Sequence, residues 1–488
     1  MRTSVRLSLC FWRGEREMKD TKCRIEVFSF FDYTGIARHL TKMAEKGWLL
    51  EKISNFGWTY RRIVPKKLTF SVCYYPKASD FDPEPTEEQK EFHDFCEHTG
   101  WVLAAMSAQM QIFYNEQENP IPIDTDPMLE IETIHAAAKK SYLPSYFVLL
   151  LVAILNGALL VSRLSGDLIG LLSSSTNLFT GFDWFMMFLL CVIELCGYFI
   201  WHGKAKRAAE QGVFSETPCL SRIQKIILGI GLIGFVYWIS DIVLVGDSLM
   251  KTVCFIMLLC TTALIFLVNG VKELLKRKKT PRDVNRTLTL LSSFVLAFGM
   301  MGVITFGIIR ASQNGFFEQD RETYAYNGAT FTVYMDELPL TVEDLIDIQY
   351  DGYNRERRSS ESLLLGQFVM RQYPRFDAEK YAEMPVLEYT ITEVKLPFLY
   401  GFCKNSLLNG RKGEFVDGHV VFADHYEQVD ASPWRANEAL RLCWSEECTD
   451  SSDSYLLCYE NRIIEIAFFW EPTSAQMAIV ADKLSKAP

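Results

Sequence analysis

Two acidic residues inside long apolar segments are the side chains of this sequence best placed to do chemistry. Glu194 lies in the apolar segment 182–201, and Asp241 lies in the segment 226–245. A carboxylate in a bilayer is costly and usually faces water or a bundle interior, where it can carry protons or cations. The alternative is a protonated Glu194 or a hydrogen bond between helices, with Asp241 reaching the outer interface.

Cys443 and Cys458 are a candidate disulfide. The C-terminal part of the chain holds an even number of cysteines, which permits disulfide bonds outside the membrane. A hairpin pattern between the two residues places them opposite each other. The alternative is that both are free, buried thiols.

Histidines and acids in the same region are of the types that bind metals. His419 and His425 lie close in sequence to Asp417 and Asp424, and imidazole and carboxylate groups are suitable ligands. An Asp-Gly hairpin turn explains Asp417 and Gly418 without a metal. The sequence therefore predicts no metal site and no cofactor.

Four aromatic residues near the N-terminus could line a ligand-binding face. They are Trp48, Trp58, Tyr60 and Trp101. The alternative, which the spacing favours, is that they belong to the core and to the ends of two helices.

Motifs of the common enzyme classes are missing from the sequence. It contains no phosphate-binding Gly-rich loop, no His-Glu-x-x-His helix, no Cys-x-x-Cys pair and no Gly-x-Ser-x-Gly elbow. Their absence argues against an enzyme and leaves no catalytic residue to name. The formal net charge of -10, with a pI near 5.4, argues against nucleic acid as a partner.

Five apolar segments in the middle of the chain indicate membrane spans. About 20 apolar residues of helix cross the ~30 Å hydrocarbon core of a bilayer. The segments are 142–161, 182–201, 226–245, 253–271 and 287–309. We therefore expect a bundle of five transmembrane helices over residues 141–310, in contact with the lipid bilayer.

The loop charges predict an orientation. Lys and Arg are concentrated before the first span, between the second and third, and between the fourth and fifth. Because such residues stay cytoplasmic, we predict a cytoplasmic N-terminus and a C-terminal domain outside the cell membrane. The richest cluster, from Lys272 to Arg286, is explained by topology. The alternative is a site for anionic lipid or for a partner.

A repeated Gly-Trp pair organises residues 18–115. Gly47-Trp48 and Gly100-Trp101 each follow a helical pattern, and the glycine suits a left-handed helix cap. The apolar helix faces are Ile36, Leu40 and Met43 in the first copy and Phe92, Phe95 and Cys96 in the second. Strand patterns cover 24–31, 50–62, 68–75 and 101–114. This βαββαβ order predicts a ferredoxin-like α+β domain with one four-stranded antiparallel sheet.

Several motifs in this region carry a family resemblance. They are Leu40-x-x-Met43-Ala44-x-Lys46-Gly47-Trp48-x-Leu50, Tyr60, Gly100-Trp101 and Gln111-Ile112-Phe113. The motifs resemble the bacterial domain of unknown function numbered 2812. Members of that family place the domain before several membrane spans, often near PadR-like transcriptional regulators. The resemblance implies a regulatory or envelope setting and, since the family has no established activity, no catalytic residue.

Three further regions complete the predicted layout. Residues 1–17 read as a disordered tail or as an extension ahead of a true start at Met18. Residues 116–140 read as a linker that ends in a helix leading into the first span. Residues 311–488 read as a mixed α/β domain, so the whole chain is a multi-domain membrane protein.

This layout predicts a signalling or regulatory relay between soluble domains on opposite sides of the membrane, with a protein partner. The second hypothesis is an accessory subunit of an envelope transport or biogenesis complex. A transporter or intramembrane enzyme acting through Glu194 and Asp241 is the third.

Overall fold

A computed structural model describes most of the chain. The described residues are 20–54, 57–244, 248–313, 322–347, 351–379, 381–409, 415–416, 419–420, 425–443 and 451–486. The predicted N-terminal extension and the start at Met18 lie outside them.

The chain forms two compact units, each assembled from separate stretches of sequence. The first comprises the chain up to Leu150, Leu189–Gly229 and Thr261–Gly299. The second comprises Leu151–Phe188, Ile230–Cys260 and the chain from Met300 onward.

The N-terminal domain in the first unit is built from two copies of a β-α-β-β motif. The first copy is β1 (Thr21–Arg24), α1 (Tyr33–Glu45), β2 (Trp48–Ser54) and β3 (Gly57–Arg62). The second is β4 (Thr69–Tyr74), α2 (Glu87–His98), β5 (Val102–Ser107) and β6 (Met110–Asn115). Each copy forms a three-stranded antiparallel sheet, in the orders β1-β3-β2 and β4-β6-β5. The edge strands β2 and β5 lie beside each other.

This arrangement differs from the predicted ferredoxin-like domain, which has a single four-stranded sheet. The predicted strands 50–62 and 101–114 each fold back into a hairpin instead of running straight. Residues with positive φ stand at these reversals, Gly57 at 133° and Ala108 at 48°. A conformation that extended strands do not adopt therefore divides each predicted strand in two.

The repeat itself is confirmed in detail. Gly47 and Gly100 adopt φ values of 80° and 85°, as expected for left-handed helix caps. In each copy the strand pairing shifts two residues after the tryptophan, between Leu50 and Lys52 and then between Leu103 and Ala105. The predicted face of α1 is buried at Ile36, Leu40 and Met43. In α2 only Cys96 is buried, whereas Phe92 is half-buried and Phe95 is exposed.

The two cap glycines should respond differently to alanine. A Cβ on Gly47 would lie 2.9 Å from the Ile63 carbonyl oxygen, whereas a Cβ on Gly100 would meet only side chains, those of Asn115 at 3.3 Å and Gln117 at 4.0 Å. A left-handed conformation costs an L-residue roughly 1–2 kcal/mol. We expect Gly100→Ala to show that cost alone and Gly47→Ala to exceed it, in thermal unfolding of the purified protein. Equal losses would contradict the backbone clash.

Long helices fill the middle of the chain. Helix α3 (Pro127–Ala137) continues through a π-turn (Ala138–Tyr142) into α4 (Leu143–Gly166). The others are α5 (Leu168–Ser173), α6 (Ser175–Glu210), α7 (Ser221–Leu244), α8 (Ser248–Arg277) and α9 (Arg282–Gln313). Among the described residues, five helical stretches are long and apolar enough to cross a membrane: α3 through α4, α6, α7, α8 and α9. The chain is thus a multi-pass membrane protein by helix length and composition.

The C-terminal domain in the second unit centres on a seven-stranded antiparallel sheet. It begins with β7 (Thr323–Tyr326), β8 (Ala329–Thr332), α10 (Val342–Leu345), β9 (Tyr353–Glu361), β10 (Leu365–Pro374) and β11 (Leu387–Val394). It continues with α11 (Tyr400–Asn409), β12 (Phe415–Val416), β13 (His419–Val420), β14 (His425–Val429), β15 (Glu438–Cys443), β16 (Ser451–Cys458), β17 (Arg462–Ala467) and α12 (Ser474–Leu484). The sheet order is β14-β15-β16-β17-β11-β10-β9. An apolar cluster with α10 and α12 covers one face of the sheet, and a second cluster includes α11 and α5.

Candidate functional site

Glu194 is the centre of a buried hydrogen-bond network in the first unit. Its side chain lies in α6 and is 0% exposed. Its Oε2 accepts a hydrogen bond from the Tyr142 hydroxyl at 2.8 Å, and its Oε1 accepts one from the Ser29 hydroxyl at 3.0 Å. The Gln224 amide of α7 donates to the same Oε1 and, at 2.9 Å, to Ser29 Oγ. One carboxylate therefore joins the chain before α1 to the start of α4 and to α7.

The residues before and at the start of α1, 29–34, form what we call the docking segment. Its Asp32 caps α1 by accepting from the Gly35 N–H at 3.0 Å, and it also accepts from the Thr217 hydroxyl at 2.6 Å. The Thr34 and Thr217 hydroxyls bond to each other, and the Thr217 N–H donates to Thr34 Oγ1 at 3.2 Å. Burial raises the pKa of the Asp32 carboxyl, and the hydrogen bond from Thr217 opposes that rise. These contacts attach the segment to the α6–α7 connection.

Aromatic rings surround the polar network. Phe31 stacks on Trp201, with ring centroids 5.2 Å apart, and meets the edge of Tyr198 at 5.4 Å. Phe30 stacks on Tyr142 at 5.4 Å. Phe31 is 0% exposed, although it belongs to a loop. Burial of such rings, together with their pairwise contacts, makes the docking segment a tightly packed joint.

The chemistry of this site is that of a satisfied buried carboxylate. Donors from separate elements converge on Glu194, and leaving a buried polar group unpaired costs about 1–3 kcal/mol. Each element is thus held in register by the others. The geometry matches the alternative of a hydrogen bond between helices.

The second intramembrane acid, Asp241, takes no part in the hydrogen bonds of this network. Asp241 is half-buried in the part of α7 that belongs to the second unit, whereas Glu194 belongs to the first. Asp241 is not among the residues that donate hydrogen bonds to Glu194, which are Ser29, Tyr142 and Gln224.

The four aromatic residues proposed as a ligand face are divided between two cores. Trp58 and Tyr60 are buried in the larger core of the N-terminal domain, with Trp48 at its edge. Trp101 is buried in a separate cluster, and its indole N–H donates to the Ile121 carbonyl oxygen at 2.9 Å. These four side chains do not form a common surface.

The candidate disulfide between Cys443 and Cys458 is wrong. Cys443 is disulfide-bonded, but Cys458 is a free, buried thiol. The strand register pairs Cys458 with Glu438 and Cys443 with Ser451, so the two cysteines are not opposite each other. The physical reason is a longer and irregular hairpin, with a register shift just before Cys443.

One group of potential metal ligands occurs among the described residues. Ligand atoms of His425, Glu427 and Cys443 lie within 4.8 Å of one another. A disulfide sulfur offers no thiolate, so the Cys443 found here cannot bind a metal as the other two could. Asp417 and Asp424, weighed as ligands from the sequence, lie outside the described residues.

The basic cluster from Lys272 to Arg286 contacts acidic residues between β4 and α2, within the first unit. The pairs are Lys272 with Asp80 (3.7 Å), Lys279 with Glu84 (2.7 Å) and Arg282 with Asp82 (3.9 Å). Partly exposed pairs of this kind each contribute about 0–1 kcal/mol. The cluster could attract anionic lipid, but part of its positive charge is already paired with carboxylates of the protein.

In the second unit, the β9–β10 hairpin is hydrogen-bonded to the short helix α5. The Ser362 hydroxyl, in the β9–β10 hairpin, donates to the Leu172 carbonyl oxygen at 2.6 Å, and Ser360 donates to that of Ser173 at 3.2 Å. Ile169 of α5 is buried in a core cluster with sheet residues. Helix α5, directly before α6, is therefore bound to the C-terminal sheet.

Sequence reasoning missed the docking segment because it read residues 24–31 as a strand. Strand β1 ends at Arg24, and the alternation expected of a half-buried strand fails at the consecutive Phe30 and Phe31. Adjacent aromatic residues followed by an Asp helix cap were the available signal. The residues that the docking segment contacts at the start of α4, in α6 and in the α6–α7 connection lie more than 100 positions away in sequence, and no local pattern predicts those contacts.

Comparison with known families agrees with the resemblance seen in the sequence. Residues 32–146 match the family model described as "Protein of unknown function (DUF2812)". The match begins in the docking segment and ends in α4. No curated protein and no solved structure matches the chain.

Proposed function

We propose that this protein, whose residues 32–146 carry a DUF2812 domain, is a membrane-spanning signalling or regulatory relay. The observation that carries the proposal is the Glu194 network. It joins the docking segment of the N-terminal domain to three transmembrane helices through one buried carboxylate. A domain that binds a partner could thus act on the helices without an enzymatic step.

Helix α6 is the proposed mechanical element. Its Leu189–Glu210 part, in the first unit, carries Glu194 and the aromatic contacts of the docking segment. Its start, at Ser175, follows α5, which is bound to the C-terminal sheet within the second unit. A single helix of 36 residues, about 54 Å at 1.5 Å per residue, therefore has soluble-domain contacts towards both ends.

The relay requires the two soluble domains to lie on opposite sides of the cell membrane. The odd number of predicted spans and the Lys and Arg distribution support a cytoplasmic N-terminal domain and an extracytoplasmic C-terminal domain. Coupling between them then needs an element with two arrangements that both domains can bias.

The alternative function is an accessory subunit of an envelope complex, with the C-terminal domain binding a protein or polymer. The long β14-to-β9 sheet offers a surface for such a partner. Crosslinking in native membranes, followed by purification in mild detergent, separates the two functions. Stable, stoichiometric subunits support the accessory role, whereas transient partners of the N-terminal domain support the relay.

The relay predicts that removing one hydroxyl from the network changes hydrogen exchange in the second unit. In the full-length Tyr142→Phe protein, Glu194 loses a donor while the ring and its stacking stay. We expect altered hydrogen exchange in α5 and the β9–β10 hairpin, measured by mass spectrometry in nanodiscs. Tyr146→Phe is the matched control: it removes a hydroxyl one turn later in α4, with little expected change. Exchange altered only in the first unit would count against the relay.

A further inference from the structure

A groove runs between α4 and α6 within the second unit. It has a volume of about 500 Å³, in the range typical of ligand sites. Ala153, Gly157, Leu160 and Arg163 line it from α4, at the three- and four-residue spacing of one helix face. The groove therefore lies along one face of α4.

The groove is polar at one end and apolar at the other. Arg163, in the last turn of α4, and Asn177, in the first turn of α6, line the same end because the two helices run in opposite directions. Ala153, Trp184 and Phe188 line it towards the other end. This gradient of polarity is that of an amphipathic ligand.

The length of the groove fits one leaflet of a bilayer. From Ala153 to Arg163 the helix rises about 15 Å at 1.5 Å per residue, half of the ~30 Å hydrocarbon core. An acyl chain could follow the apolar walls while its headgroup reaches the exposed guanidinium of Arg163. Arg163 also stands out because it lies in a connection that is otherwise free of Lys and Arg.

We propose that the α4–α6 groove is a binding site for an anionic phospholipid, with an acyl chain between the helices and the headgroup phosphate at Arg163. The guanidinium of arginine can donate several N–H groups to phosphate oxygens at once. It therefore binds a phosphate more specifically than a point charge such as an ammonium group does. The mid-groove residue Asn156 donates one N–H of its side-chain amide to the Val152 carbonyl oxygen at 2.8 Å.

The test is photocrosslinking of the full-length protein in phosphatidylcholine vesicles. The probe is phosphatidylglycerol or phosphatidylcholine with a photoreactive acyl chain, and labelled peptides are mapped by mass spectrometry. We expect labelling of residues 153–188 by both probes. Phosphatidylglycerol should be favoured about fivefold, because the choline cation of phosphatidylcholine cancels the phosphate charge that Arg163 attracts. Arg163→Gln should abolish that preference, whereas Arg310→Gln, an exposed arginine at the end of α9, should keep it.

A second variant tests the acyl chain separately. A Cβ on Gly157 meets nothing within 4 Å, so Gly157→Leu fills the groove without a backbone clash. It should reduce groove labelling by both probes, whereas Gly299→Leu, at another open glycine, should not. Equal labelling by the two lipids in the wild type would overturn the site. So would groove labelling that is unchanged in Gly157→Leu.

Discussion

Replacing Glu194 by leucine should release the docking segment from the helices, at a cost of about 3 kcal/mol or more. The reason is the position of this carboxylate: the Tyr142 hydroxyl, the Ser29 hydroxyl and the Gln224 amide all donate to it in a buried environment. Leucine leaves these donors without their acceptor. The measurement is the opening free energy of α1 amides, from hydrogen exchange of the full-length protein in nanodiscs.

Glu194→Gln is the matched control. Glutamine keeps the side-chain size and one acceptor oxygen, so we expect a loss nearer 1 kcal/mol. A Leu variant that opens no more than the Gln variant would show that the network does not hold the joint. Loss of function in Glu194→Gln with an intact joint would instead favour a proton path.

Phe31→Ala should destabilise the same joint by about 3–5 kcal/mol, the usual cost of truncating a fully buried phenylalanine. Its ring fills the space against Trp201 and Tyr198. We expect the N-terminal domain to become accessible to protease at a temperature where the wild type resists. Phe95→Ala, on the 60% exposed Phe95 of α2, should leave resistance nearly unchanged. Equal sensitivity of the two variants would contradict the packing described here.

The two substitutions test different physical contributions to one joint. Glu194 supplies hydrogen bonds, and Phe31 supplies apolar burial. Because both act on the docking segment, their effects should not add fully in the double variant. Full additivity would mean that the two residues stabilise separate structures.

Sequence predicted the elements whose signals are local. The spans could be read from apolar length, and the two helices of the N-terminal domain from the three- and four-residue spacing of their apolar residues. The cap glycines, Gly47 and Gly100, were predictable because a residue without Cβ is favoured at a left-handed position. Each of these features depends only on neighbouring residues.

What could not be predicted depends on pairing between distant segments. The two sheets of the N-terminal domain arise because strands read as single ones turn back, and composition alone does not fix that turn. The wrong assignment of Cys458 to a disulfide came from assuming a regular register. Glu194 was recognised as unusual, but its partners at positions 29 and 224 come from other elements. Local patterns in a single sequence do not reveal which distant side chains meet.

The most direct test of the relay is to lock the joint and observe the second unit. Thr34 and Thr217 touch through their hydroxyls, so Thr34→Cys with Thr217→Cys should form a disulfide on oxidation without large backbone movement. Hydrogen exchange of α5 and the β9–β10 hairpin is then compared in the oxidised and reduced protein, with each single variant as control. The relay predicts that exchange changes with the lock in the double variant alone. Equal hydrogen exchange of the second unit in the oxidised and reduced double variant would contradict the relay.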